Sequence, residues 1–328
     1  ALPIWNALIF VLIFAGTLYG VFHGQDIGEL KDALARCRTD WLVCAAGCVV
    51  VFILCESSAL WLLLNTFGMG LRQGTCFFSA CIGFFFSAIT PSSSGGQPME
   101  VYYLRKKGIP VSVSSVALIV MVVAYKLILT GIGVILLIVR YGFLRAHLGK
   151  LFFLYFIGLI MTAGAAVFLF LMVFRPSMAR AILIWGMSVL EELHILKNRE
   201  KHQTGFAVSM DLYSSVSDQL RKKPGVMLGV LAIMALRRAA LFSVTWCVYR
   251  ALGLSGDSWL TVALLQAAVS ICADMLPLPG GMGISEALFV RVCASSFGDA
   301  ALPGMILSRG IGHYCQLILC ALFTMLAL

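Results

Sequence analysis

Long apolar runs dominate the chain and recur along its whole length. An α-helix of about 20 apolar residues spans the ~30 Å hydrocarbon core of a bilayer. Six runs reach this length, at residues 2–22, 41–67, 111–139, 151–174, 226–252 and 302–326. Short strands between helices, as in a soluble α/β protein, are not predicted. The pattern predicts an all-α polytopic membrane protein with about six full transmembrane helices.

Two further apolar regions are interrupted by clusters of proline and glycine. The region 74–104 breaks at 90–98, with the sequence TPSSSGGQP, and the region 259–293 breaks at 277–283, with the sequence PLPGGMG. Such clusters end helices. Inside a membrane, the freed backbone groups must be buried in protein or line a wet cavity. Each region is therefore predicted to form a re-entrant hairpin, with a surface loop as the alternative.

The two predicted hairpins resemble each other in sequence. In each, the break is followed by a glutamate and, five residues later, by an arginine: Glu100 with Arg105, and Glu286 with Arg291. The two glutamates are 186 residues apart, and each hairpin lies between long spans. This shared order indicates an internal duplication.

Basic residues in the loops predict the orientation of the chain. If both hairpins return to the side they entered, the loops on one side carry 12 Lys and Arg, and those on the other carry 6. The positive-inside rule places the richer side, and with it both termini, in the cytoplasm. The hairpins then enter from opposite faces as an inverted repeat, in which transporters bind substrate near the bilayer midplane.

The predicted organisation is one integral-membrane domain over residues 1–328. Repeat one covers about 41–139, and repeat two covers about 226–328. Residues 175–225 between them mix charges with spaced leucines, which predicts an amphipathic cytoplasmic linker. The run 2–22 lacks a basic n-region and a small-residue cleavage site, so we expect a retained span.

Composition narrows the function classes. The chain is 61% hydrophobic and 12% charged, whereas soluble domains carry about 25% charged residues. The basic residues behind its net charge of +9 lie in loops beside apolar spans, which favours anionic lipid headgroups over nucleic acid as partners.

The 11 cysteines lack metal-ligand spacing, so we expect them to be packing residues and expect no bound metal. Catalytic and nucleotide-binding motifs such as HExxH, GxSxG and GxxxxGK[ST] are absent, so we expect a transporter that works downhill or by ion coupling, without a cofactor.

Several charged residues fall inside the apolar segments. Each costs about 2.5–3.5 kcal/mol on insertion scales and needs a partner or a function. They are Glu56, Lys126, Arg237, Arg238, Asp274, Glu286, Arg291 and Arg309. Structural pairing, such as Glu56 with Lys126, explains single residues, whereas a wet internal cavity better explains the whole set.

The Ser/Gly break in the first region suits an anion such as phosphate. It offers hydroxyls and free backbone N–H groups at the start of a half-helix, and glycine lets the backbone approach a ligand. A capped helix end without a ligand is the alternative.

The two hairpin glutamates would meet a cationic or hydroxyl group, or pair with Arg105 and Arg291. The candidate substrate-binding residues are Ser92, Ser93, Ser94, Gly95, Gly96, Glu100, Arg237, Arg238, Asp274, Gly280, Gly281, Glu286 and Arg291.

The segment TPSSSGGQPMEVYYLRKKGIP and its counterpart LPLPGGMGISEALFVR resemble a known family. It is the flippase-like membrane domain of the lysylphosphatidylglycerol synthases, or multiple peptide resistance factors, and the resemblance covers nearly the whole chain. In bifunctional members, a cytoplasmic domain transfers lysine from lysyl-tRNA to phosphatidylglycerol. The membrane domain then moves the product to the outer leaflet, which gives resistance to cationic peptides. No synthase domain fits within these 328 residues, so we expect no lysyl transfer by them alone.

The resemblance implies a plasma-membrane flippase for anionic or aminoacylated phosphatidylglycerol, and the residues themselves indicate a polar, phosphate-bearing substrate. In this hypothesis the phosphate lies near Ser92–Gly96, with help from Arg237 or Arg238. One carboxylate takes the lysyl amine: Glu100, Glu286 or Asp274.

Two other functions stay open. One is secondary transport of a small anion. The other is an enzyme of lipid or polyprenyl-phosphate metabolism, such as the membrane part of a phosphatidylglycerol lysyltransferase system. The expected partners are a phospholipid substrate and anionic membrane lipids. A separate synthase and a second copy of the chain are candidate protein partners, and nucleic acid is not an expected partner.

Overall fold

A computed structural model gives the fold of the protein. It describes residues 37–90, 93–175, 199–274 and 284–327, with isolated positions at 35, 177–178, 180–182 and 184. The predicted first span, 2–22, lies outside these residues, as does much of the predicted linker. The described residues form helices joined by short turns and loops and contain no strand, which confirms the all-α class.

The first half of the described chain contains six helices. They are α1 (Thr39–Thr66), α2 (Gln73–Ile89), α3 (Gly96–Lys106), α4 (Val111–Val139), α5 (Tyr141–Leu148) and α6 (Phe152–Phe174). A short 3₁₀ turn, Gly149–Leu151, joins α5 to α6.

The second half contains another six helices within the described residues. They are α7 (Arg199–Lys222), α8 (Pro224–Ala251), α9 (Trp259–Asp274), α10 (Ile284–Phe297), α11 (Ala301–Arg309) and α12 (Gln316–Ala327). A 3₁₀ turn, Gly298–Ala300, joins α10 to α11, and a π-helical segment, Gly310–Cys315, joins α11 to α12.

Five helical stretches of the described chain are long and apolar enough to cross a membrane. They are Thr39–Thr66, Val111–Val139, Tyr141–Phe174, Pro224–Ala251 and Ile284–Ala327. Their outer faces expose large apolar side chains, such as Ile138 (74%) and Leu326 (77%). Such surfaces are stable when they face lipid. The polytopic membrane class is therefore confirmed.

Proline and glycine set several helix boundaries. Pro110 immediately precedes α4, and Pro224 is the first residue of α8, where its missing N–H costs no hydrogen bond. Gly68 and Gly108 have φ angles of +80° and +87° at the ends of α1 and α3. Glycine adopts this left-handed conformation without steric cost, so the chain can turn there.

The first broken region forms a helix–turn–helix unit in which α2 packs against α3. In the turn, the Gly95 N–H donates to the Thr90 hydroxyl at 2.9 Å. A Cβ atom at Gly96 would overlap the Ser87 hydroxyl and the Gly83 carbonyl, and one at Gly83 would overlap the Glu100 carboxyl group. These glycines therefore let the two helices of the hairpin approach closely.

We expect Gly96→Ala to destabilise the protein by about 1–3 kcal/mol, the usual cost of overpacking. Its matched control is Gly131→Ala in α4, where a Cβ atom meets no neighbour within 4 Å. That change should be neutral or stabilising, since alanine favours helix over glycine by about 1 kcal/mol. Thermal unfolding of the purified variants in detergent measures both effects. Equal unfolding temperatures for the two would refute close packing at Gly96.

The second broken region also brings its helices together, with α9 packed against α10. Its break, including Gly280 and Gly281, lies outside the described residues. The inverted relation of the two hairpins, and the division of the chain into two repeats, stay predictions.

The helix α7 lies within the predicted linker. Its apolar face buries Met210, Tyr213 and Leu220 against α4, α6 and α8. The Tyr213 hydroxyl donates to the carbonyl of Met172 at 2.9 Å, which ties α7 to the end of α6.

Candidate functional site

A cavity of about 780 Å³, lined by both charged and apolar side chains, lies among the helices. Its walls come from α1, α2, α3, α4, α8, α9, α10, α11, α12, the turn between α2 and α3, and the π-helical segment. The lining includes the charged side chains of Glu56, Glu100, Lys126, Arg237, Arg238, Asp274 and Arg309. A wet cavity is the environment in which charges inside a membrane domain are tolerated.

Three ion pairs join helices around this cavity. Arg237 of α8 binds Glu56 of α1 at 2.6 Å. Lys126 of α4 binds Asp274 of α9 at 2.5 Å, and Arg309 of α11 binds Glu286 of α10 at 3.0 Å. Each pair neutralises charge and fixes the distance between two helices.

This pairing corrects two sequence-based alternatives. Glu56 pairs with Arg237 rather than with Lys126. Arg105 and Arg291 are exposed and do not line the cavity, while both hairpin glutamates are buried. A spacing of five residues places two side chains about 140° apart around a helix, so each arginine points away from its glutamate.

Asp274 holds several structural partners. Besides Lys126, its carboxylate accepts hydrogen bonds from the hydroxyls of Tyr125 and, at 3.1 Å, Thr162. These contacts join α4, α6 and α9 at one point. A carboxylate with this many donors is a structural junction rather than a free acceptor for a ligand amine.

Glu286 is similarly occupied. It is buried, pairs with Arg309, and accepts a hydrogen bond from the Ser285 hydroxyl at 2.9 Å. Arg309 also donates to Ser285.

Arg309 directly precedes the π-helical segment that contains His313, and the side chains of Arg309 and His313 both line the cavity. Single π-helical turns inside α-helices occur frequently at functional sites.

Arg238 is the cavity cation without a carboxylate partner among the described residues. It is only 8% exposed, and its Nε atom has no hydrogen-bond partner. Its guanidinium group lies over the ring of Tyr125, 4.0 Å from the ring centroid. This stacking fixes the plane of the group but leaves N–H donors for an anion.

Glu100 is the cavity carboxyl group without a cationic partner among the described residues. It is 7% exposed and accepts a hydrogen bond from the Ser79 hydroxyl at 3.3 Å. The Arg237 side chain nearby is already paired with Glu56. Within the described part of the chain, the cavity therefore offers one uncommitted cation and one uncommitted carboxyl group.

The residues of the first break differ in position. Ser93, with a φ of +54°, lines the cavity together with Gln97 and Ser87. Ser94 is exposed, and neither it nor Gly95 or Gly96 lines the cavity. The nearest atoms to the two glycines belong to Thr90, Ser87 and Gly83. Ser92 lies outside the described residues, like Gly280 and Gly281.

Among the predicted site residues, the cavity thus brings together Ser93, Glu100, Arg237, Arg238 and Asp274, with Glu286 held at its edge through Arg309. The lining also contains Tyr125, Gln266 and Gln316, which the sequence does not single out. Uncharged polar residues are common in membrane helices, so sequence alone gives no signal for them.

Three cysteines also meet in the structure. Cys44 and Cys48 of α1 and Cys247 of α8 have their sulfur atoms within 4.8 Å of one another. Their approach depends on the packing of α1 along α8, although the i, i+4 spacing of the first two already places them on one helix face. They lie outside the residues that line the cavity.

A family model described as the lysylphosphatidylglycerol synthase TM region matches residues 5–320. The chain belongs to this family. The match covers nearly the whole chain, as the two hairpin motifs predicted, and it identifies the domain as a membrane domain related to lysylphosphatidylglycerol synthesis or flipping. Curated proteins gave no match.

Proposed function

We propose that the protein is a flippase for anionic or aminoacylated phosphatidylglycerol, such as lysylphosphatidylglycerol. The observation that carries this proposal is the pairing pattern of the cavity. Among the described charged residues that line the cavity, all form ion pairs except Arg238 and Glu100. A headgroup with both a phosphate and an amine would complete this pattern.

The phosphate is assigned to Arg238. A guanidinium group binds phosphate through two parallel N–H donors, and such charge-assisted bonds are roughly twice as strong as neutral ones. Stacking on Tyr125 orients the group before the ligand arrives. The hydroxyls of Ser87 and Ser93, which line the same cavity, supply neutral donors for the remaining phosphate oxygens.

The lysyl amine is assigned to Glu100. Of the three carboxylates considered from sequence, Asp274 and Glu286 already hold Lys126 and Arg309. Glu100 has the hydroxyl of Ser79 as its bonded neighbour. An ammonium group would supply the charge that this buried position lacks.

The size of the cavity favours a headgroup rather than a whole lipid. Binding pockets for small ligands have volumes of about 300–1,000 Å³, and this cavity has about 780 Å³. The acyl chains would stay in the bilayer, beside the apolar outer faces of the helices. We place the protein in the plasma membrane with both termini in the cytoplasm, where a separate synthase could deliver the lipid.

The family description supports a second function, as the membrane part of a phosphatidylglycerol lysyltransferase system. That role would require product formation from lysyl-tRNA and phosphatidylglycerol. An assay of the purified chain with both substrates separates it from transport alone.

Headgroup preference tests the proposed site. We expect Glu100→Gln to weaken binding of lysylphosphatidylglycerol by about tenfold or more, since a charged hydrogen bond contributes about 1.5–3 kcal/mol. Binding of unmodified phosphatidylglycerol, which has no amine, should change less. Binding of each lipid to purified protein in detergent gives both affinities. Asp218→Asn is the matched control, because this carboxylate lies on the surface of α7. Equal loss for the two lipids would remove Glu100 from amine recognition.

A further inference from the structure

The negative charge of the Glu100 carboxylate in the cavity can be neutralised either by a proton or by the ammonium group of a lipid. We propose that Glu100 exchanges a proton for the lipid ammonium, so that lysyl-lipid movement is coupled to proton movement in the opposite direction. This inference rests on the proposed function and adds the source of its energy.

The charged groups that face Glu100 are already paired with each other, and Arg238, the cavity cation without a carboxylate partner among the described residues, lies over the Tyr125 ring. From α2, Ser79 donates a hydrogen bond at 3.3 Å, and the thiol of Cys76 lies nearby. From α1 and α8 it is faced by Glu56 and Arg237, which pair with each other at 2.6 Å.

The other charged residues on α3 and α4 are paired or exposed. On α4, Lys126 is bound to Asp274. On α3 itself, the basic residues Arg105 and Lys106 are exposed at the far end of the helix.

The position of the carboxyl group within the hairpin strengthens the case. It fills the space where a Cβ atom of Gly83 would lie, between α2 and α3. An ionised carboxylate buried without a cation is strongly unfavourable. The group must therefore hold either a proton or a cationic ligand while the cavity is closed to water.

Proton and ammonium compete for the same oxygen atoms. When the lysyl ammonium binds, the carboxyl proton leaves to the side from which the lipid enters. When the lipid departs on the other side, a proton from that side takes its place. One proton then crosses against each lysyl lipid, and no covalent bond is made or broken apart from that O–H bond.

Asp274, Glu56 and Glu286 do not meet these conditions, because each holds a lysine or arginine within 3.0 Å. A proton on one of them would break an interhelical ion pair. The exchange is therefore specific to the hairpin glutamate without a cation.

The test uses the full chain in proteoliposomes that contain lysylphosphatidylglycerol. A membrane-impermeant amine reagent reports the fraction of lysyl lipid in the outer leaflet. At equal pH on both sides, we expect the lipid to equilibrate between leaflets. With a pH difference, it should accumulate in the leaflet that faces the acidic side, by up to about tenfold per pH unit for one-for-one exchange. A protonophore should abolish this asymmetry.

Two variants locate the proton. Glu100→Gln should lose the pH-driven asymmetry, and Asp218→Asn should keep it. Asymmetry that persists in Glu100→Gln would overturn the assignment. A second measurement needs no variant: adding lysyl lipid to the wild-type protein in weakly buffered detergent should release about one proton per lipid bound. The absence of proton release would also overturn it.

The outcomes separate the two proposals. Wild-type protein that equilibrates the lysyl lipid but ignores the pH difference would refute proton exchange and leave the flippase proposal standing. Wild-type protein that moves no lysyl lipid under either condition would refute both.

Discussion

Arg238→Ala is expected to lower phospholipid translocation in proteoliposomes by at least about tenfold, which corresponds to ~1.4 kcal/mol. The buried guanidinium group has no carboxylate partner in the described chain, so its removal leaves no internal carboxylate unpaired. The loss would fall on the ligand, whose phosphate loses a charge-assisted contact of about 1.5–3 kcal/mol. Both lysylated and unmodified phosphatidylglycerol should be affected, because both contain the phosphate.

Two controls separate phosphate binding from other effects of this change. Arg250→Ala removes the same group from the C-terminal end of α8, where it lies over Trp41, and should leave the rate near that of the wild type. The double variant Arg238→Ala with Glu100→Gln also removes the carboxyl group that Arg238 would balance if that group were ionised. If it also restored translocation, Arg238 would serve to balance Glu100 and not to bind phosphate.

Lys126→Met is expected to cause the largest loss of stability, about 3–5 kcal/mol, because it leaves the buried Asp274 carboxylate without its cation. The pair lies between α4 and α9 at 2.5 Å, with side chains 17% and 12% exposed. Thermal unfolding in detergent measures the effect. The protein should still insert, since the substitution makes α4 more apolar.

The double variant Lys126→Met with Asp274→Asn should recover most of the lost stability. Asparagine removes the charge but keeps an oxygen acceptor for the hydroxyls of Tyr125 and Thr162. A double variant no more stable than Lys126→Met would show that Asp274 is not left as an uncompensated charge. Lys126→Met that unfolds like the wild type would show that the ion pair contributes no stability.

The positions of the helices could be predicted from the sequence, because the length of an apolar run and a cluster of proline and glycine are local features that determine where a helix begins and ends. The predicted spans 111–139 and 226–252 match α4 and α8 within two residues. The break after residue 89 is also predicted from sequence, since α2 ends at Ile89 and Thr90 is extended. The charged residues of the cavity were found for a related reason: charge within an apolar run is visible in the sequence.

The pairing of those charges could not be predicted in the same way. Whether Glu56 meets Lys126 or Arg237 depends on how α1, α4 and α8 pack, and sequence spacing does not specify this packing. The glycines of the first hairpin show the same limit. Gly96 was expected to admit a ligand, whereas its nearest neighbours are Ser87 and the backbone of Gly83. Sequence indicated that a small residue was needed but not which atoms required the space.

The central proposal, that the protein moves phosphatidylglycerol lipids across the bilayer, is tested most directly by wild-type protein alone. Purified chain in proteoliposomes should transfer lysylphosphatidylglycerol from the inner to the outer leaflet at equal pH, as reported by the impermeant amine reagent. The Arg238→Ala variant should do so at least about tenfold more slowly, and protein-free liposomes should show no transfer on the same timescale. Wild-type proteoliposomes that match protein-free liposomes, yet take up a soluble anion, would contradict the lipid proposal and favour the small-anion transporter.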